Sequence, residues 1–262
     1  MTPDEFYDQL APFYHLIYPD WETSMTQQAA ALDSIMQEFW GAETTTILDV
    51  ACGIGTQALG LAQLGYQVTA ADLSRAAVAR ARREAAARHL DLHCFVADMR
   101  HMAVHSQRQY DVVMACDNAV PHLLTDKDIL TVFQALYTCV RPGGGCLLTV
   151  RDYDREDRTG IQVKPYGLRI EGSTRYLLFQ VWEFRGALYE LALYCIEDRG
   201  GQHAITHVLR TTYYAIGTGT LMTLMTQAGF QDVQRLEARF YQPVLIGTKS
   251  YAAPGRRHPL GV

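Results

Sequence analysis

The sequence predicts an α/β protein built on a doubly wound, mostly parallel sheet, with an aromatic N-terminal cap and a second, antiparallel β region. Three observations carry this. The 262 residues are 48% hydrophobic and only 19% charged, enough apolar mass for one globular core and unlike a disordered or coiled-coil chain. Between residues 45 and 150, short apolar runs alternate with longer helix-forming stretches, the pattern of parallel strands joined by crossover helices. The first of those runs ends in a small-residue turn, Asp49-Val50-Ala51-Cys52-Gly53-Ile54-Gly55, immediately before a helical segment.

Taken in order, residues 1–44 read as helices rich in Tyr and Trp, broken by Phe13-Tyr14-His15-Leu16-Ile17-Tyr18-Pro19-Asp20-Trp21, an aromatic cap or lid. Residues 45–150 form the core, with strands over 46–51, 67–72, 92–97, 110–116 and 145–150 and helices over 56–64, 75–89 and 125–140. Right-handed crossovers wind helices onto both faces of such a sheet. Residues 151–216 change texture: 176–185, 187–198 and 203–216 are aromatic and β-branched, with a turn at Asp198-Arg199-Gly200-Gly201, and read as antiparallel strands. Residues 217–250 supply a helix over 218–228 closed by Gly229, then strands over 232–238 and 242–248. The tail, 251–262, reads as unpacked.

Composition excludes several classes. A net charge of −5 leaves no general basic surface for a phosphate backbone or an anionic membrane, so nucleic acid is not an expected partner. The six cysteines are scattered, form no C-x-x-C pair and mostly lie in apolar runs, which points to a reduced, cytoplasmic setting. The first ten residues carry Asp4, Glu5 and Asp8 in place of a basic start, and no run of about 18 apolar residues occurs, so neither signal peptide nor membrane span is expected. His203 and His207 fall in a strand-like segment, too far apart for one ion, and no metal is expected.

The chemistry lies in the turn. Gly53 and Gly55 remove side chains where backbone must approach a ligand, and the following helix offers unpaired N–H groups. The run Gly53 to Ala58 also fits the permissive dinucleotide pattern G-x-G-x-x-A, so NAD has to be weighed. Asp49 argues against it: a negative charge there opposes a pyrophosphate but could pair with the ammonium of an amino-acid-bearing cofactor. Asp72 ends the second strand, where a carboxylate accepts ribose hydroxyls from either cofactor. Asp98 ends the third, placed to accept from an adenine amino group, with Met99 to cover the ring. All three aspartates have an alternative as helix N-caps, which is compatible with ligand binding.

These residues, with Arg141-Pro142-Gly143-Gly144-Gly145 before a strand, resemble the class I S-adenosylmethionine-dependent methyltransferases. The resemblance implies a Rossmann-like seven-stranded sheet with an N-terminal helical lid and an antiparallel β insertion after the fifth strand. Within the class, four patches resemble the glycine and glycine/sarcosine N-methyltransferases: Tyr14 to Trp21, Asp49 to Gly53, Asp117-Asn118-Ala119-Val120-Pro121-His122-Leu123, and Arg151-Asp152-Tyr153-Asp154. It implies S-adenosylmethionine as cofactor, S-adenosylhomocysteine as product, and a cofactor site of Tyr14, Trp21, Asp49, Ala51, Gly53, Gly55, Asp72, Leu73, Asp98, Met99 and Cys116. The first glycine of the family's motif is Ala51 here.

For the acceptor, the resemblance implies a small amino acid or amine whose carboxylate is held by Asn118 and Arg151, with Tyr153, Tyr194 and Tyr213 around it. Tyr14, Tyr214 and His122 join Asn118 and Arg151 in the implied catalytic set. A guanidinium fork suits a carboxylate, though Arg151 could instead pair with Asp152, Asp154 or Glu156. Asn118 could be a turn residue, and His122 a buried hydrogen-bonding residue in place of a general base. The tyrosine clusters have core packing as their alternative. Asp117-Asn118-Ala119-Val120-Pro121 is not the D/N-P-P-Y/F corner of a nucleobase amino methyltransferase. The competing functions are methylation of a natural product or other small metabolite, a silent cofactor-binding module, and an NAD oxidoreductase. Oligomeric state is left open.

Overall fold

The computed structural model describes residues 1–105 and 108–251. The chain opens with α1 (Pro3–Leu10), whose start is closed by Thr2 N–H donating to Glu5 Oε2 at 3.0 Å. A 3₁₀ turn over Tyr14–Ile17 leads to α2 (Trp21–Trp40), capped where Asp20 accepts from the Thr23 N–H at 2.7 Å. The core follows as β1 (Thr46–Asp49), α3 (Thr56–Gln63), β2 (Gln67–Asp72), α4 (Arg75–Ala87), β3 (His93–Val96), the one-turn α5 (Met102–His105), β4 (Tyr110–Ala115), α6 (Asp126–Cys139) and β5 (Val140–Thr149). Next come β6 (Ile161–Glu171), β7 (Thr174–Arg185), β8 (Leu188–Asp198) and β9 (Ile205–Tyr214), then α7 (Thr218–Gln227), β10 (Gln231–Leu236) and β11 (Val244–Thr248).

Seven strands form one sheet in the order β10-β11-β5-β4-β1-β2-β3. β1 to β5 run parallel, and β11 lies antiparallel to both β5 and β10. Strand order reverses at β1, which pairs with β2 on one side and β4 on the other, so the crevice of such a sheet opens above the carboxyl ends of these strands. Consecutive residues feed opposite layers because side chains alternate across a strand. Ile47, Val112 and Leu147 pack with Leu32, Ile35 and Met36 of α2, whereas Leu48, Val113 and Leu148 pack with Ile129 and Phe133 of α6 and Leu221 of α7.

The remaining strands form a separate antiparallel sheet, β6-β7-β8-β9. One face of it, carrying Trp182, Tyr189, Leu191, Leu193, Leu209 and Tyr213, packs on Phe6 and Leu10 of α1 and on Tyr153. The strand β6 is absent from the sequence expectation. Pro165 and Gly167 interrupt its alternation, and both are tolerated because β6 is an edge strand whose register shifts there. β5 also starts at Val140, before the glycine run in place of within it. Gly229, at φ +110°, follows Ala228, which is the cap residue of α7. The expected tail lies outside the described residues beyond Tyr251. Among the described residues no helix is long and apolar enough to cross a membrane, and all six cysteines are buried and free.

Candidate active site

Two cavities open at the carboxyl ends of the central strands. The larger, about 490 Å³, is lined by the turn from Val50 to Gly53, by Asp72-Leu73 after β2, Ala97-Asp98-Met99 after β3 and Cys116-Asp117 after β4. Its volume lies within the roughly 300–1,000 Å³ of small-molecule sites. The turn after β1 is shaped for close approach. Gly53 and Gly55 have φ of +54° and +96°, and a Cβ on Gly53 would come within 3.0 Å of the Tyr14 ring. Asp72 braces this turn by accepting the Gly53 N–H through Oδ2 and the Ser74 N–H through Oδ1, both at 2.8 Å. Burial raises its carboxyl above the ordinary carboxylate range.

Asp98 takes a bidentate pair from Arg100; burial opposes its charge, but these bonds hold the carboxyl below its usual range. Asp49 differs from expectation. It is fully buried beneath the turn and does not line the cavity. Oδ1 accepts the Ala51 N–H at 3.1 Å, Oδ2 has no partner among the described residues, and burial pushes the carboxyl from 3.8 up to about 7. Its place is that of a brace for the turn, not a direct counter-ion. Trp21 is likewise displaced from its implied role. Its indole N–H donates to Thr56 Oγ1 at 2.9 Å and its ring is covered by Arg80 and Arg88, behind the turn and outside the cavity. Gly55 serves as the left-handed N-cap of α3 and also does not reach the wall.

The roof comes from the N-terminal segment. Tyr7, Tyr14 and Tyr18 all line the cavity, and burial raises the three phenols well above their ordinary value, so they stay neutral. Tyr7 was not expected; its hydroxyl is bonded to His122 Nε2 at 2.9 Å and lies 3.3 Å from the Tyr213 hydroxyl. The available signal was its place beside Phe6 on a helix whose Phe6 and Leu10 turn inward. His122 lines the cavity between Tyr7 and Tyr213, but burial first and the Arg151 charge second hold its imidazole down at about 3. So weak a base does not suit the general-base role.

The second cavity, about 390 Å³, is lined by Ile17, Tyr18, Asp117, Arg151, Asp152, Glu156, Tyr166 and the segment from Tyr241 to Pro243. Arg151 stands in an aromatic cage. Its guanidinium lies 4.8 Å from the Trp182 ring centroid and 5.7 Å from that of Tyr213, and Nη1 donates to the Tyr189 hydroxyl at 2.9 Å. The acids that could have neutralised it are engaged elsewhere. Asp152 pairs with Arg235 at 2.5 Å and Arg155 at 3.3 Å, Asp154 with Arg158, and Glu156 with Lys164. Among the described residues Arg151 has no carboxylate partner.

Asn118 is fully buried and committed at both ends. Its Nδ2 donates to the Tyr153 hydroxyl at 2.8 Å and its Oδ1 accepts the Arg151 N–H at 3.0 Å. It positions Arg151 and does not face either cavity. Tyr153, fully buried, bonds Tyr189 and likewise works from behind, as does Tyr213, whose ring stacks on Tyr189. Two expectations fail by strand alternation. Tyr194 lies on the opposite face of its sheet from Tyr189, Leu191 and Leu193, stacked on Phe179 at 4.8 Å. Tyr214, one residue past Tyr213, packs against the main-sheet core and donates to Asp126 at 2.9 Å.

A family model described as "Methyltransferase domain" matches residues 47–144, the span from β1 to the glycine run that builds the larger cavity. Two curated relatives are glycine/sarcosine N-methyltransferases, from Halorhodospira halochloris at 28% identity over 52% of this chain and from Parasynechococcus marenigrum (strain WH8102) at 27% over 72%. Residues 47–144 thus carry a methyltransferase domain, and these matches support a class I S-adenosylmethionine-dependent methyltransferase. Among solved structures, that of SAM-bound CalS10, an amino pentose methyltransferase from Micromonospora echinaspora, has a TM-score of 0.75 at 18% identity, covering 87% of this chain and 92% of that chain. This last likeness shows the fold. The chain spans 49% and 64% of the length of the two curated relatives.

The residues fit the family's cofactor, S-adenosylmethionine. A near-bare turn, a wall whose acids include Asp72 and Asp98, and Asp49 with an orphaned oxygen beneath the turn suit a ligand carrying an adenosyl group and positive charge. Asp72 would hold the ribose, Leu73 and Met99 would flank the adenine near Asp98, and Ala51 to Gly53 would meet the methionine part.

Proposed function

We propose that the methyltransferase acts on a small molecule, transferring a methyl group to the nitrogen of a small amino acid or similar carboxylate-bearing amine. One observation carries this reading: Arg151, a caged guanidinium without an acid partner among the described residues, lines a cavity that shares Tyr18 and Asp117 with the larger one. A planar fork left unpaired beside a small cavity is matched by a carboxylate. The two glycine/sarcosine N-methyltransferase relatives support the same acceptor class. Bound in the larger cavity, S-adenosylmethionine supplies an electrophilic methyl on a sulfonium.

The protein's own part is alignment and exclusion of water. Arg151 anchors the acceptor by its carboxylate, while Asn118 and Tyr153 hold Arg151 from behind. Residues 1–44 serve as a lid over the core of residues 45–150, with Tyr7, Tyr14 and Tyr18 as its inner surface. Residues 151–216, the substrate-side β region, supply the cage, and residues 217–250 complete the core sheet. Six buried, free thiols fit a cytoplasmic setting. An acceptor screen with labelled methyl donor tests the reading, starting with glycine, sarcosine and dimethylglycine and continuing to bulkier amines and phenols. Turnover of the small amino acids is the expected result. Turnover confined to the bulkier compounds would replace it with a natural-product acceptor.

A further inference from the structure

Arg151 is not the one unmatched charge of the acceptor cavity. Of the three carboxylates on its wall, Asp152 and Glu156 are paired with arginine and lysine. Asp117 has no basic partner among the described residues; Oδ2 accepts from the Tyr18 hydroxyl and Oδ1 from Gln242 Nε2, both at 3.1 Å. These neutral donors orient the carboxylate without cancelling its charge. The cavity thus holds one cation without an anion and one anion without a cation.

The backbone aims Asp117 at this place. Asp117 and Asn118 have φ of +54° and +65°, two successive non-glycine residues in the left-handed region directly after β4. The corner is held by the Asp117 N–H donating to Thr149 Oγ1 at 2.7 Å, the Asn118 N–H to the Thr149 carbonyl at 2.9 Å, and Asn118 Oδ1 accepting from Arg151 N–H. Such a conformation persists because its surroundings enforce it. Its effect is to place the Asp117 side chain on the wall common to both cavities, with Tyr18 as the other shared residue.

We propose that Asp117 binds the ammonium of a zwitterionic acceptor whose carboxylate lies on Arg151, setting the amino nitrogen at the wall of the donor cavity. This rests on the amino-acid reading and deepens it. Asp117 becomes the residue that selects an amine over a hydroxyl, because an alcohol of the same shape brings no charge to it.

The test is calorimetric titration of S-adenosylhomocysteine-loaded protein with glycine and with glycolate, which differ only in ammonium against hydroxyl. Wild type should prefer glycine by about thirtyfold or more, the range of a hydrogen-bonded charge pair. Asp117→Asn should lose most of that preference while glycolate binding changes less than about threefold, an outcome that loss of a merely structural aspartate would not give. An unchanged glycine-to-glycolate ratio in Asp117→Asn overturns the assignment. Equal binding of the two probes by wild type overturns it as well, and needs no variant to fold. Wild type that binds neither probe overturns the amino-acid reading itself, and this inference with it.

Discussion

The two cavities are built in opposite ways. The larger is floored by the tips of four neighbouring strands, with glycine where space is needed and acids in the bends, under a roof of N-terminal tyrosines. The smaller is lined from five separate stretches: the N-terminal turn, the corner after β4, the segment after β5, Tyr166 of β6 and the residues after β10. The floor of one follows from the fold's strand order, the wall of the other from which side chains project into it. That is why a fold can keep its cofactor while changing its acceptor.

The largest expected effect falls on the floor of the first cavity. Gly53→Val forces a branched side chain into the left-handed region and against Tyr14, and should weaken S-adenosylhomocysteine binding by about a hundredfold or more in calorimetry. Comparable affinity would show that the turn is not the cofactor's cradle. On the other side, Asn118→Ala leaves Tyr153 and the Arg151 N–H without their partner and puts alanine at φ +65°, at a cost of about 1–3 kcal/mol in chemical denaturation. It should raise KM for the acceptor and leave S-adenosylhomocysteine affinity within about threefold. An equal loss of both would mean the cavities are not separable.

The same contrast explains what could be read in the chain. Residues 49–55, Asp72 and Asp98-Met99 lie at strand ends that hydrophobic periodicity locates, so the larger cavity is legible in outline. The errors there came from depth: nothing in the sequence says that Asp49 points beneath the turn or that Trp21 backs Thr56. The acceptor side depends on pairing register. Tyr213 and Tyr214 differ by one residue and face opposite ways, and Tyr194 is turned outward by the same alternation. β6 is not legible in the sequence because proline and glycine on an edge strand resemble a loop. Asp117 stood in the quoted motif, but its lack of a basic partner is a property of the folded chain.

Two buried groups predict opposed pH dependences. Asp49, raised from 3.8 to about 7, contributes stability that is full below about 4 and lost as pH climbs to 7. His122, lowered from 6.5 to about 3, contributes stability that is full above about 6.5 and lost as pH falls toward 3. Relative to wild type, Asp49→Asn should remove a loss of up to about 1.4 kcal/mol per pH unit on going from pH 4 to 7, read by denaturant unfolding of the ligand-free protein. His122→Gln should differ from wild type with the opposite slope. Parallel curves for wild type and variant would contradict the burial of that group. The smallest effects belong to Tyr194→Ala and Tyr214→Phe, which should change kcat/KM by less than about threefold because neither side chain reaches a cavity. A larger loss for either would place it back at the acceptor.

The most direct measurement compares kcat/KM for glycine and for glycinamide, which lacks the carboxylate, in wild type and in Arg151→Ala. Wild type should favour glycine by about a hundredfold, the scale of a charge-assisted bidentate contact, and the variant should bring the two within about threefold of each other. A preference for glycine that survives removal of Arg151 would contradict that contact.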